Sequence, residues 1–377
     1  MQYSNTTEVE RVRKIIESFL NQPLLTNIMD SDPPLYKAYK TLFDKTINEL
    51  ALQNSNNHQL SSSPVVVVDE CELPLIDLSR LSLGEAERED CKSQIARASR
   101  EWGFFQVINH GISRELSEKM RSDQEKVFKQ PFDKKSQEDK YLKFSAGSYR
   151  WGTPTATCLR QLSWSEAFHI PLNSVSSPDN NAHHNNTDHF RSTVEQFAKT
   201  ISNLALKLAE ILAEKLGHDP SYFKENCLPS TCYLRMNRYP PCPVPSEVFG
   251  LMPHTDSDFL TILLQYNVGG LQLVKDGKWI AVKPNPDALI INIGDLFQAW
   301  SNDVYKSVEH RVVTNAHVER FSTAYFLCPS YDTVLDNGFE PSVYRKFSFR
   351  EYRRQVQDDV TKLGFKIGLP RFLKVTR

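Results

Sequence analysis

The chain has 377 residues, of which 45 are Lys or Arg and 46 are Asp or Glu, so its formal net charge is −1 at pH 7. This balance gives no reason to expect nucleic acid or a membrane surface as a partner, and 40% hydrophobic residues suffice to bury a sizeable core. The seven cysteines are scattered and never form a C-x-x-C pair, which argues against a disulfide framework or a thiolate zinc site.

Residues 1–70 are expected to form a poorly determined N-terminal extension. Helical periods at residues 8–20 and 34–52 are followed by a polar stretch at 53–63. The first twenty residues interrupt their apolar positions with charges, unlike a signal peptide or a membrane anchor. The cytoplasm is therefore the expected location.

Residues 71–228 are predicted to be largely helical, with a few short strands. Amphipathic or charged periods predict the helices, and apolar runs ended by turn residues predict the strands. In chain order these are a strand and turn at 73–81, a helix at 84–102, a strand at 104–112, a helix at 113–128 and a long helix at 190–216. The polar stretch at 173–188, rich in Asn and His, predicts a surface loop before the last of these helices.

Turn residues separate short β-rich runs throughout residues 229–330. The runs are TCYLRMNRY, FLTILLQY, GGLQLVKDGKWIAV, ALIINIGD, HRVVTN and STAYFLC. Many short strands at this spacing predict an antiparallel sandwich or barrel. Residues 331–377 form a C-terminal segment with a helical period at 348–362.

Within this β region, His254 and Asp256 lie two residues apart in the sequence MPHTD. Residues two apart in an extended segment point to the same side, so both can reach one ion. His310 is a third candidate, because strands distant in sequence lie face to face in a jelly roll. Two imidazoles and one carboxylate leave coordination positions open, which suits iron(II) that holds a bidentate cosubstrate together with dioxygen.

Two other interpretations of this pattern remain open from the residues alone. A zinc hydrolase could use the same ligands, although no H-E-x-x-H motif is present to supply its general base. An isolated H-x-D also arises often by chance, and a single His in a strand is more often a core residue than a ligand.

Polar residues on either side of the ligand pattern suit a small carboxylate. Arg320 and Ser322 share one face at the entry to the strand STAYFLC, where a guanidinium beside a hydroxyl can bind such a group. Asn237 and Tyr239 alternate in the same way ahead of a Pro-Pro pair. Taken alone, the first pair would also fit a surface salt bridge, and the second an ordinary strand that ends at prolines.

The order and flanks of these motifs resemble the plant soluble 2-oxoglutarate-dependent dioxygenases. The resemblance runs from residue 73 to residue 370 and includes EWGFFQVINHGI at 101–112, NRYPPCP at 237–243, ALIINIGDLFQAWSN at 288–302 and YKSVEHRV at 305–312. It implies a fold that is mainly β with α. A double-stranded β-helix (jelly-roll) core at 229–330 is expected between a largely helical N-terminal dioxygenase region at 71–228 and a C-terminal helix.

The resemblance also implies an assignment of the catalytic site. The expected catalytic residues and iron(II) ligands are His254, Asp256 and His310. The residues expected to bind the cosubstrate 2-oxoglutarate are Arg320, Ser322, Tyr239 and Asn237, with Arg320 and Ser322 on its distal carboxylate. Dioxygen is the other cosubstrate and ascorbate the expected reductant. Succinate and carbon dioxide are released as the substrate is hydroxylated.

Several segments are similar to gibberellin 2-oxidases that act on twenty-carbon gibberellins. They are FSAGSYRWGTPTA at 144–156, QLSWSEAFH at 161–169 and GLMPHTDSDFLTIL at 250–263. The chain departs from gibberellin 20-oxidases, which carry L-P-W-K-E-T where this chain has LSWSE, and it has Arg238 where many relatives have a tyrosine. The resemblance implies hydroxylation of gibberellins at carbon 2, which inactivates the hormone.

A gibberellin is a rigid, mostly apolar diterpenoid acid, so its pocket needs apolar walls and a cation for the carboxylate. Arg150 is the expected cation, although a stacked surface arginine fits the sequence equally well. The other expected substrate contacts are Tyr149, Trp164, Phe168, Tyr325 and Leu327. Aromatic residues near strands more commonly belong to the core, so these positions also fit a structural role.

Two further functions fit the same residues. The chain could apply this chemistry to gibberellin carbon 20, to another diterpenoid or to a flavonoid. It could also be a non-catalytic, cupin-like binding protein, although a pure binder has no need of an open metal face. In each case the expected partner is a small molecule and neither nucleic acid nor a membrane.

Overall fold

The computed structural model describes residues 30–45, 68–137, 148–175, 186–245, 247–336 and 338–374. The helix expected at 8–20 and the polar stretch expected at 53–63 lie outside these ranges. The helix expected at 34–52 is present up to residue 45, with a break at Tyr39, and its remainder also lies outside the described residues.

Serine and glycine caps set the ends of two helices. Ser113 and Ser348 accept hydrogen bonds from the backbone N–H groups three residues later in the chain. Gly364 takes the left-handed conformation (φ 81°) that ends the C-terminal helix.

The helices are α1 (Leu35–Ala38), α2 (Glu85–Glu101), α3 (Arg114–Phe128), α4 (Phe132–Ser136), α5 (Leu172–Val175), α6 (Asn186–Glu214), α7 (Tyr222–Asn226), α8 (Asp295–Trp300) and α9 (Phe349–Leu363). The loop expected at 173–188 is therefore shortened at both ends by α5 and α6.

Two sheets form the β core, and a two-stranded ribbon lies outside them. The strands are β1 (Glu70–Cys71), β2 (Leu75–Asp77), β3 (Phe104–Ile108), β4 (Tyr149–Trp151), β5 (Glu166–Pro171), β6 (Tyr233–Tyr239), β7 (Phe249–His254), β8 (Leu260–Gln265), β9 (Leu271–Lys275), β10 (Lys278–Val282), β11 (Leu289–Ile293), β12 (His310–Val313), β13 (Arg320–Leu327), β14 (Val334–Leu335) and β15 (Phe347–Ser348). The small sheet has the order β1-β10-β9-β12-β7, and the large sheet has the order β2-β3-β11-β8-β13-β6-β5-β4.

The two sheets pack as the two walls of a jelly roll. Phe104 and Ile290 of the large sheet share one apolar cluster with Leu271 and Leu273 of the small sheet. The predicted mainly β fold with a jelly-roll core is therefore confirmed. The large sheet has an inner face, which points toward the small sheet, and an outer face, which points away from it.

The region at 71–228 contributes strands as well as helices. Strands β2 to β5 extend the large sheet at both edges, and β1 pairs with β10 of the small sheet. The expected boundary at residue 229 therefore lies within one continuous pair of sheets rather than between two separate layers.

Helices α2, α3 and α6 cover the outer face of the large sheet. Ile95 of α2, Met120 of α3 and Ile201 of α6 join Ile262 and Tyr325 of the sheet in the main apolar cluster, and all five are almost fully buried. Each such side chain contributes roughly 1.5–3 kcal/mol when removed from water. This layer fixes the strands that carry the polar inner face.

The segment at 30–45 packs against the β core. Leu35, Tyr39 and Phe43 are buried in a second apolar cluster together with Trp164 and Cys242. This part of the expected N-terminal extension is thus an integral element of the fold. Within the described residues, no helix is both long and apolar enough to cross a membrane.

Candidate active site

His254, Asp256 and His310 come together where strands β7 and β12 pair. His254 and His310 are cross-strand partners, and their Nε2 atoms lie 3.6 Å and 3.8 Å from Oδ1 of Asp256. One potential ligand atom from each of the three lies within 4.8 Å of the others. This spacing allows all three groups to bind a single metal ion.

Backbone carbonyls orient both imidazoles. Nδ1 of His254 lies 2.7 Å from the carbonyl oxygen of Met252, and Nδ1 of His310 lies 3.0 Å from that of Val308. Nδ1–H therefore donates to the carbonyl, which leaves Nε2 as the basic nitrogen of each ring. Burial, with the adjacent His254, lowers the pKa of His310 to about 4, so this ring is neutral at pH 7.

The carboxylate of Asp256 has one oxygen engaged and one free to bind a metal. Its Oδ2 accepts hydrogen bonds from Thr261 Oγ1 at 2.6 Å and from Asn292 Nδ2 at 2.8 Å. Burial would raise the pKa of Asp256, but the two neighbouring imidazoles and the Thr261 hydroxyl hold it well below its usual value. The group is an anion whose Oδ1 faces both histidines.

We expect Thr261→Val to lower metal affinity by about 10- to 100-fold, the usual cost of losing a partner that orients a ligand. The change keeps the side-chain shape but removes a donor to Asp256. Titration of the metal-free protein with cobalt(II), followed by visible absorbance, measures the effect. Thr200→Val, on the exposed side of α6, is the control and should leave the affinity unchanged. Equal affinities for both variants would contradict the assignment.

Lys366, near the C-terminus, hydrogen-bonds the residues on either side of Asp256. Nζ of Lys366 donates to the carbonyl oxygen of Thr255 at 2.8 Å and to Oγ of Ser257 at 2.9 Å, and it lies 2.8 Å from Oδ2 of Asp295. Tyr352 of α9 donates to the same Asp295 carboxylate. The C-terminal segment thereby fixes the ligand loop.

Arg320 is a buried cation without a carboxylate partner among the described residues. Its Nη2 donates to Oε1 of Gln265 at 3.0 Å and its Nη1 to Oγ of Ser322 at 3.4 Å, while Nε has no partner. Burial lowers the pKa of this guanidinium. A small dicarboxylate such as 2-oxoglutarate complements the positive charge of Arg320, because its distal carboxylate would pair with the guanidinium.

Tyr239 and Asn237 lie on the same inner face as Arg320. Arg320 is paired with Tyr239 across the strands, and its guanidinium lies 5.1 Å from the centre of that ring. Asn237 is paired with Ser322 and donates to its Oγ at 3.4 Å. The structure therefore brings together all four residues predicted around the cosubstrate. It adds Gln265, which the sequence pattern did not identify.

Four predicted substrate contacts lie on the outer face of the large sheet. They are Tyr149, Phe168, Tyr325 and Leu327, all buried in the main apolar cluster beneath the helices. Tyr149 is paired with Phe168, and Phe168 with Met236, so their side chains share the helix-covered side. This placement differs from the expected one, because strand alternation turns these side chains away from the metal ligands.

Trp164 and Arg150 differ in their surroundings. Trp164 is buried in the second apolar cluster, and its Nε1 donates to the carbonyl oxygen of Pro241 at 3.2 Å, so it supports the N-terminal segment rather than the inner face. Arg150 is exposed and is paired with Ala167, which is paired with Asn237. Of the six expected substrate contacts, Arg150 alone shares the inner face with the residues predicted to bind the cosubstrate.

Comparisons with known proteins agree with this site. Residues 230–329 match the 2OG-Fe(II) oxygenase superfamily, and residues 73–191 match the family described as non-haem dioxygenase in morphine synthesis N-terminal. The chain is 63% identical over 347 residues to gibberellin 2-beta-dioxygenase 8 of Arabidopsis thaliana, covering 91% of this chain and 98% of that protein. It is 49% identical to gibberellin 2-beta-dioxygenase 6 of Oryza sativa subsp. japonica, covering 91% of this chain and 96% of that protein.

A solved structure shows the same architecture with both cofactors present. The crystal structure of JOX2 in complex with 2OG, Fe and JA aligns with a TM-score of 0.65 and 32% identity, covering 80% of this chain and 92% of that chain. The jelly-roll core, the His-Asp-His cluster and the buried Arg320, which no carboxylate of the described ranges pairs with, all agree with these matches. The chain belongs to the 2OG-Fe(II) oxygenase superfamily and is a dioxygenase that uses iron(II) and 2-oxoglutarate.

Proposed function

We propose that this dioxygenase hydroxylates gibberellins at carbon 2, and so inactivates the hormone, with a preference for twenty-carbon gibberellins. The observation that carries the proposal is the 63% identity, across 91% of the chain, to a gibberellin 2-beta-dioxygenase. The rice relative at 49% identity has the same activity in its name. The twenty-carbon preference rests on the segments at 144–156 and 161–169, which resemble that subgroup.

In this proposal, His254, Asp256 and His310 bind the iron(II). With 2-oxoglutarate and dioxygen, the bound iron supplies the oxidant that hydroxylates the substrate. The carbonyls of Met252 and Val308 keep Nε2 of each ring free to bind the metal. Thr261 and Asn292 keep Oδ1 of Asp256 directed toward it.

The pocket around Arg320 binds the distal carboxylate of 2-oxoglutarate. Ser322 and Tyr239 lie beside the guanidinium, and Asn237 positions the Ser322 hydroxyl. Gly250 allows β7 to approach this pocket closely, because a β-carbon there would lie 2.7 Å from the Tyr239 ring. No carboxylate in the described part of the chain pairs with the buried guanidinium of Arg320, so the pocket favours an anion.

A product assay tests the proposal. Purified protein incubated with iron(II), ascorbate, 2-oxoglutarate and a twenty-carbon gibberellin should form a 2-hydroxylated product with one succinate per turnover, as measured by mass spectrometry. A nineteen-carbon gibberellin under the same conditions should give a lower kcat/KM. Hydroxylation at carbon 20, or turnover of a flavonoid or another diterpenoid in place of any gibberellin, would overturn the substrate assignment and leave the chemistry in place.

A further inference from the structure

Three arginines surround His169 at the β4 edge of the large sheet. Arg235 is the cross-strand partner of His169, and Arg150 is paired with Ala167, two residues before His169. Arg353 is an exposed residue of α9 whose guanidinium lies 5.7 Å and 5.8 Å from the centres of the Tyr331 and Phe349 rings. It is close enough to His169 for its positive charge to lower the pKa of that ring. The sheet and the C-terminal helix thus bring three positive charges to one place.

The imidazole of His169 responds to all three charges. Burial lowers its pKa to about 4, and the positive charges of Arg235, Arg353 and Arg150 each contribute to the shift. The ring is therefore neutral at pH 7. The positive charge at this place comes from the guanidinium groups, and His169 remains available as a hydrogen-bonding group.

None of the three arginines has a carboxylate within 4.0 Å among the described residues. Nε of Arg235 donates to Oδ1 of Asn237 at 2.9 Å, and Nη1 of Arg353 donates to the hydroxyl of Tyr331 at 3.1 Å. Several other arginines are ion-paired, as Arg350 is with Asp332. Grouped like charges without a counter-ion raise the local potential, and an anionic ligand would relieve their repulsion.

An aromatic wall adjoins the arginines on the inner face. The Tyr233 ring stacks on Phe326 with 4.5 Å between centres and lies 4.2 Å from the His169 ring. All three are only partly buried, so part of each ring remains accessible to solvent. Flat, open aromatic surface beside cations suits a rigid apolar molecule that carries acid groups.

The position along strand β6 places this surface beside the reacting centre. Tyr233 lies in the same cross-strand row as Phe326 and Thr261, and Thr261 is bonded to Asp256. Asn237, four residues further along β6, belongs to the cosubstrate pocket. Arg235 lies midway between them, about 7 Å along the strand from each. A ligand held there would lie against both the metal ligands and the cosubstrate.

We propose that Arg235, Arg353 and Arg150 bind the carboxylates of a rigid apolar diacid, with its ring system against Tyr233 and Phe326. This assignment rests on the proposed function and gives a physical reason for the twenty-carbon preference. A twenty-carbon gibberellin with two free carboxylates can engage more of the guanidinium groups than a nineteen-carbon lactone with one.

The test compares a twenty-carbon gibberellin diacid with its dimethyl ester. Dissociation constants are measured by calorimetry under anaerobic conditions, with 2-oxoglutarate bound, so that no turnover is needed. The wild-type protein should bind the diacid more tightly than the ester. Arg353→Gln and Arg235→Gln should each weaken diacid binding by about 10- to 100-fold, as expected for the loss of a charged hydrogen bond. Ester binding should stay at the wild-type value, which also shows that the variants are folded.

Arg354→Gln is the matched control. Arg354 is the next residue of α9 and is exposed, and this variant should retain the wild-type preference for the diacid. Equal wild-type affinity for diacid and ester, or unchanged diacid binding in both Arg353→Gln and Arg235→Gln, overturns the arginine assignment and leaves gibberellin hydroxylation standing. Binding of neither compound overturns the proposed function together with the assignment.

Discussion

His310→Ala should reduce hydroxylation to the detection limit and should lower metal affinity by more than about 100-fold. Loss of a residue that only orients a metal ligand costs up to about 100-fold, and loss of the ligand itself should cost more. His310 supplies one of the three groups that lie within 4.8 Å of one another. Its loss leaves one imidazole and one carboxylate, too few protein ligands to hold iron(II) during turnover. Product formation by mass spectrometry and cobalt(II) titration measure the two effects.

His317→Ala provides the control for this experiment. His317 is exposed in the turn after β12, seven residues beyond His310. Its backbone N–H donates to Oδ1 of Asn315, and its imidazole has no hydrogen-bond partner among the described residues. Turnover and metal affinity should both remain at wild-type values. If His310→Ala kept a substantial part of the turnover, or if both variants lost activity equally, His310 would not be a ligand.

Glu166→Gln should lower the free energy of unfolding by about 3–5 kcal/mol, as expected when a fully buried ion loses its partner. Glu166 and Lys135 are both completely buried and form an ion pair. Nη1 of Arg238 also donates to Glu166, at 2.7 Å, and the hydroxyl of Tyr149 does so at 2.5 Å. The neutral amide would leave two buried cations short of negative charge. Urea denaturation followed by circular dichroism measures the change.

Glu118→Gln is the comparison variant for stability. Glu118 forms an ion pair with Arg114 on the surface of α3, where both side chains are largely exposed. Because water screens such a pair, its removal should leave the denaturation midpoint unchanged. A similar midpoint for Glu118→Gln and Glu166→Gln would show that the buried ion cluster contributes no special stability.

The buried ion cluster also accounts for one departure noted in the sequence, Arg238 in place of the tyrosine found in many relatives. Its partner Glu166 is the glutamate that LSWSE shares with the L-P-W-K-E-T of gibberellin 20-oxidases. The structure shows that the two residues are cross-strand partners and form an ion pair. Arg238 also pairs with Asp32, which ties the segment at 30–45 to the sheet. Sequence patterns could not reveal this link, because it depends on the register of β5 and β6.

The grouping of the predicted metal and cosubstrate residues could be anticipated because it follows simple local rules. His254 and Asp256 share a side by the two-residue period, as do Arg320 and Ser322. Their partners Thr261, Asn292 and Lys366 come from other elements and belong to no motif. Strand register and the path of the C-terminal segment bring them together, and neither is encoded in local spacing.

The same two-residue alternation explains why four of the expected substrate contacts lie on the outer face of the large sheet. Arg320 points inward on β13, so residues at odd offsets from it, such as Tyr325 and Leu327, point outward beneath the helices. The aromatic character of these residues suggested a pocket wall, but the position of a residue along its strand decides which face of the sheet its side chain occupies. The inner-face aromatics Tyr233 and Phe326 occupy the opposite phase of their strands and were not identified from composition.

Strand β6 carries the residues predicted to bind the cosubstrate on one side and a buried ion on the other. Asn237 and Tyr239 face the jelly-roll interior, and Arg238 between them faces the helices. Inserting or deleting one residue in β6 would exchange these two sides. The Tyr239 side chain would then face the ion cluster, and the Arg238 guanidinium would face the jelly-roll interior. Libraries that vary substrate range should therefore hold the length of this strand constant. Under the assignment proposed above, point substitutions at Tyr233 or Arg235 should alter selectivity without disturbing its register.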